Sequence, residues 1–111
     1  MAYDHDLADR IREQIGGDPA LTERKMFGGL AFLVGGHMAV AASGTGGMMV
    51  RVDPVQTERL LRSAGVTRVE MGGRSMNGWL RVDTDHLRTT RQLERWVGLG
   101  TTFARSLPPK R

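Results

Sequence analysis

Two glycine pairs, Gly28–Gly29 and Gly35–Gly36, bracket the five-residue apolar segment "LAFLV". The segment is too short for a helix and is rich in strand formers. Gly35–Gly36 is a two-residue connection between apolar runs. A connection of that length needs positive φ at both central residues, which glycine adopts without a side-chain clash. The stretch therefore predicts a β-hairpin, with "HMAVAAS" returning antiparallel to "LAFLV". Unbroken pairing across the turn sets Val34 opposite His37, Phe32 opposite Ala39 and Leu30 opposite Ala41 on one face. Leu33 with Met38 and Ala31 with Val40 take the other face.

Glycine-rich chain also cradles phosphates, but only at particular spacings. Neither G-x-x-x-x-G-K-[ST] nor G-x-G-x-x-G occurs here, and "GTGG" at Gly44–Gly47 leads into a strand pattern and not a helix. These glycines are read as turn formers.

The remaining elements arrange themselves around the hairpin. "DHDLADRIREQIGG" predicts a first helix, with Leu7, Ala8, Ile11 and Ile15 on one face, acidic residues at its start and Gly16–Gly17 at its end. "MMVRVD" alternates Met48, Val50 and Val52 against Met49, Arg51 and Asp53, the period of a half-buried strand. "DPVQTERLLRSAG" predicts a second helix, with Asp53 as N-cap, Pro54 at the first helical position and Gln56 at capping-box spacing. Val55, Leu61 and Ala64 are its expected core residues. "VTRVEM", a turn region at Gly72–Gly73 and "MNGWLRVD" predict a second hairpin, with Leu80 and Val82 on one face and Trp79 and Arg81 on the other. A last helix runs from Thr89 or Thr90 to about Ser106, where "LPP" ends it. The order is α-β-β-β-α-β-β-α. Strands joined by short turns imply an α+β fold with an antiparallel five-stranded sheet packed by helices, and 111 residues suffice for one domain spanning 1–111.

Composition narrows the function classes. The chain has no cysteine, which excludes disulfides, thiolate metal sites and cysteine nucleophiles. No apolar run approaches the roughly 18–20 residues of a membrane span, and the acidic N-terminus lacks the order of a signal peptide. A cytoplasmic protein with no membrane attachment is expected. The net charge of +4 is uneven: residues 1–56 hold five Lys/Arg against seven Asp/Glu, and residues 57–111 hold eleven against five. A basic half attracts polyanions. Arg24, Lys25, Arg68, Arg74, Arg105, Lys110 and Arg111 are the candidate contacts to an anion or nucleic acid, and non-specific nucleic-acid binding is the alternative function.

Catalytic patterns are not evident. His5, His37 and His86 have no metal-ligand spacing, no G-x-S-x-G elbow occurs, and Asp83 and Asp85 fit turn and capping roles. No catalytic, metal or cofactor residue is nominated. The hairpin carries another message, because both of its faces are apolar. Helices covering one face of the sheet would leave the other open, and large open apolar patches often mark partner surfaces. Leu30, Phe32, Val34, His37, Met38 and Val40 are the candidate dimer or partner surface, and a homodimer is expected.

"KMFGGLAFLVGGHMAV", "MMVRVD", "GRSMNGWLRVD" and "FARSLPPK" together resemble the N-terminal domain of the TfoX/Sxy family, from about Arg24 to Lys110. The resemblance implies an α+β sandwich like that of type III secretion chaperones, a fold compatible with a dimer. It also implies a non-enzymatic role. Family members with known roles regulate natural competence as transcription co-activators, working with a cyclic-AMP receptor protein at promoters. Those regulators usually carry a second, helical domain. This chain stops at "LPPKR", so the expectation is an N-terminal domain standing alone, to which the contacts of the longer regulators do not transfer.

Overall fold

A computed structural model of the protein describes residues 3–26, 28–71 and 73–109. Lys110 and Arg111, Phe27, and Gly72 of the second hairpin turn lie outside the described residues.

Helix α1 (His5–Ile15) opens where the carboxylate of Asp4 accepts a hydrogen bond from the Leu7 amide, and it buries the predicted Leu7, Ala8, Ile11 and Ile15. Six strands follow the chain as β1 (Leu21–Met26), β2 (Gly29–Val34), β3 (His37–Ala42), β4 (Met48–Arg51), β5 (Val66–Met71) and β6 (Arg74–Val82). They form one sheet in the order β1-β2-β3-β4-β6-β5, with every pair antiparallel. Helix α2 (Thr57–Leu60) follows one 3₁₀ turn at Pro54–Gln56, and α3 (Thr90–Ser106) closes the fold. The class is α+β as predicted, with six strands in place of five.

The added strand is β1. Its sequence, "LTERKM", places four polar residues in a row, so neither alternation nor an apolar run marks it. It sits at the sheet edge and pairs only with β2, where exposed charged side chains are the usual protection against strand addition.

Gly35 and Gly36 have φ of 61° and 84°, and Val34 faces His37, as the two-residue turn requires. Beyond Leu33–Met38 the pairing departs from the unbroken register. Phe32 faces Val40, Ala31 faces Ala41 and Leu30 faces Ala42, leaving Ala39 as the extra residue of a β-bulge. The bulge moves Val40 onto the face of Phe32 and Ala41 onto the face of Ala31. It is locked from above, since the carbonyl of Ala39 lies where a Cβ on Gly100 of α3 would stand.

All three helices pack on one face. Leu30, Phe32, Val40, Ala42, Met48, Val50, Leu80 and Val82 from the sheet meet Leu7, Ile11, Leu60, Leu93, Trp96 and Val97 in the main core. The opposite face carries a second cluster, Ala31, Leu33, Met38, Ala41 and Met49, flanked by the partly buried Met26, Val69 and Trp79 and containing no helical residue. None of those five exceeds 9% exposure.

Helix α2 is much shorter than predicted. Asp53 caps the preceding 3₁₀ turn and not α2, accepting from the Val55 amide, and Gln56, at the N-cap of α2, makes no side-chain capping bond. The predicted core residue Val55 is 86% exposed, Ala64 is exposed and Leu61 is only partly buried. Leu60 and Thr57 go inside instead, and the Thr57 hydroxyl accepts a buried hydrogen bond of 2.9 Å from the Gly78 amide. A polar side chain with a fixed partner thus takes the place that periodicity assigns to an aliphatic one.

Candidate protein-interaction groove

The candidate partner surface on the hairpin is largely interior. Leu30, Phe32 and Val40 lie beneath the helices, and Val34 packs with Ala39 and Ala104 of α3, so these four are core residues and not surface. Met38 belongs to the opposite face and is 5% exposed. His37 is partly exposed at the turn, where its Nε2 lies 2.6 Å from the Pro108 carbonyl. A donor is needed at that distance, so the imidazole holds the chain after α3 against the hairpin. The patch of several hundred Å² that marks a partner surface is therefore absent from the described hairpin. The physical reason is that helices cover one face and residues small or well shielded fill the other.

The basic candidates do not converge either. Arg24 and Lys25 are on the edge strand β1, and Arg68 and Arg74 are on β5 and β6 at the other end of the sheet. Arg68 pairs with Glu58 at 2.5 Å, and Arg105 pairs with Asp18 at 2.7 Å. Ion-paired guanidinium groups are poor anion contacts, because a ligand must first displace the carboxylate.

What the fold does assemble is a groove of about 460 Å³ between the Asp53–Leu60 segment and α3. Its α3 wall is Arg95, Gly98, Leu99, Thr102, Phe103 and Ser106. Steps of three and four residues put these on one stripe, about 16 Å long at the helical rise of 1.5 Å per residue. That stripe lies beside the core stripe of Leu93, Trp96, Val97, Gly100 and Ala104. Across from it stand Asp53, Gln56, Arg59 and Leu60. The partly buried Leu99 and Phe103 supply the apolar surface over the buried Leu60, and Gly98 widens the groove because a Cβ there would meet nothing within 4 Å.

Several contacts hold the groove in shape. The Arg51 guanidinium is stacked between Trp79 and Phe103, 5.2 and 5.4 Å from the ring centroids, which fixes Phe103. Arg95 lies over Trp96 at 4.6 Å, and its Nη2 donates to the Ser63 hydroxyl at 3.4 Å. Among the described residues, neither Arg59 nor Arg95 is in a salt bridge. The single carboxylate of the lining, Asp53, has one oxygen engaged by the Val55 amide. The ionisable lining is thus two guanidinium groups outside any salt bridge among the described residues and one carboxylate, a set that suits anions and apolar groups together.

Sequence reading missed this site. Arg59 and Arg95 look like any other arginines in a basic half. The spacing of Gly98, Leu99, Thr102 and Phe103 was a usable signal, but it is hidden beside the stronger core stripe. Among the described residues no three His, Asp or Glu side chains gather as a metal site would require, and no helix is long and apolar enough to cross a membrane.

Fold and groove together define a small α+β domain with helices on one face of an antiparallel sheet and a recess between two of them. Residues 13–104 match the TfoX N-terminal domain, and the chain belongs to that family. No curated protein and no solved structure matches it.

Proposed function

We propose that this chain is a non-enzymatic regulatory domain of the cytoplasm that acts by binding other proteins, in the manner of the transcription co-activators of its family. The groove carries this reading. An apolar floor rimmed by unpaired arginines suits recognition of another chain, and its one carboxylate is occupied in capping. Helices on one side of the sheet also suit the chaperone-like arrangement that the family resemblance implies. Self-association is part of the proposal. With the hairpin interior, it would form over the rim of the helix-free face, at Met26, Val69 and Trp79.

Binding of a labelled promoter duplex by a cyclic-AMP receptor protein, with and without this chain, tests the regulatory reading. The chain should strengthen retention only when the receptor protein is present. Retention of duplex by the chain alone, fading as salt rises, overturns the reading in favour of nucleic-acid binding. Light scattering on a sizing column tests self-association separately: a dimer at both low and high salt is expected, and a monomer at both removes that part of the proposal.

A further inference from the structure

We infer that the groove between α2 and α3 binds an acidic, apolar helical segment of a partner protein; this rests on the protein-binding reading above. Four observations lead there. The groove is elongated, following three turns of α3, which suits a helix laid along it better than a compact ligand. Its apolar surface is Leu99 and Phe103, backed by the buried Leu60, so the occupant presents aliphatic or aromatic side chains on one face. Arg59 and Arg95 stand on its two walls with no carboxylate partner among the described residues, so the flanks of the occupant carry Glu or Asp. Finally, Gly98 leaves room at the middle of the α3 wall, where a side chain of the occupant can enter.

A second copy of the chain does not supply such a segment. Among the described residues the acidic amphipathic helix is α1, and its apolar face, Leu7, Ala8, Ile11 and Ile15, is already buried in its own core. The occupant therefore comes from a different protein.

The probe is a fluorescein-labelled twelve-residue peptide with Leu at positions one, five and eight and Glu on the flanks. Two controls replace every Glu with Lys, or every Leu with Ala. Anisotropy with the full chain should show the Glu/Leu probe binding about tenfold or more tightly than either control, the scale of losing one charge-assisted hydrogen bond. Arg59→Glu with Arg95→Glu should remove that preference. Gly98→Leu should block the groove while the helix stays intact, since its Cβ has free space. Amide shifts on binding should centre on Leu60, Gly98, Leu99 and Phe103. Equal binding of the Lys control overturns the inference, as does binding that survives both variants or shifts centred on Met38 and Met49 of the helix-free face. Displacement of the probe by mixed-sequence duplex DNA, lost in the arginine variant, would also overturn it and assign the arginines to nucleic acid. Failure here leaves the promoter assay intact, so the two readings fall separately.

Discussion

At the scale of single residues, Gly98 and Gly100 look equivalent in sequence and are opposites in the fold. Each costs α3 about 1 kcal/mol against alanine by propensity alone. A Cβ on Gly98 meets nothing within 4 Å, whereas one on Gly100 would stand 2.3 Å from the Ala39 carbonyl oxygen and 2.9 Å from Val40 Cγ1. The first contact is with backbone, which cannot swing aside. Gly98→Ala should therefore stabilise the protein by about 0.5–1 kcal/mol. Gly100→Ala should destabilise it by about 1–3 kcal/mol despite the better propensity, because it drives α3 off the bulge in β3. Urea unfolding of both variants measures the difference, and equal shifts of the same sign would contradict the packing described. Nothing in the local sequence separates the two glycines, because what distinguishes them is a bulge sixty residues away. Thr57 was illegible for a related reason: its burial depends on the Gly78 amide, a partner in another element.

At the scale of elements, legibility followed how much each one owes to its own residues. Helices α1 and α3 carry their caps and core stripes locally, and their spans were read nearly to the residue. Thr89 and Gln92 form a reciprocal capping box at the start of α3, with both bonds at 3.0 Å. Removing the hydroxyl in Thr89→Ala should cost about 1 kcal/mol, within the usual 0.5–2 for such caps. Thr89→Ser should retain most of it, and thermal or urea denaturation of the pair would show whether the cap, and not the methyl group, matters. Strand β1 was missed because an edge strand needs only backbone partners on one side and can be polar throughout. The register of the first hairpin was read correctly at its turn and lost after two pairs. Turn chemistry sets the first pairs; the bulge at Ala39 answers to α3 packing above it. The site suffered most, since a groove between two helices exists only once both are placed.

At the scale of the whole molecule, one ion pair joins the acidic half of the sequence to the basic one, and a second ties α1 to the edge strand within the acidic half. Arg105 near the end of α3 donates from Nε and Nη2 to Asp18 in the connection after α1, bridging residues 87 apart. Arg12 on α1 donates to both oxygens of Glu23 on β1, at 2.6 and 2.8 Å, and to Asp9 at 2.6 Å. The Arg105 bonds and the Ala20 amide hold the Asp18 carboxyl below its usual range, and Arg12 does the same to Glu23. A carboxylate whose pKa is depressed by folding binds fewer protons in the native than in the unfolded chain. Its stabilisation is present above the unfolded pKa and is lost as the pH falls through the folded one. Stability should therefore be level through neutrality and decline as the pH drops through and below the ordinary carboxylate range. Both pairs are solvent-screened, so high salt should make the decline shallower. Asp18→Asn with Glu23→Gln should lower stability at neutral pH and flatten the acid limb, until variant and parent converge at the acid end. Urea midpoints across the acid range test this directly. Parallel curves for the two proteins would mean that other groups set the acid response and that the two halves are joined by the α1–α3–sheet core alone.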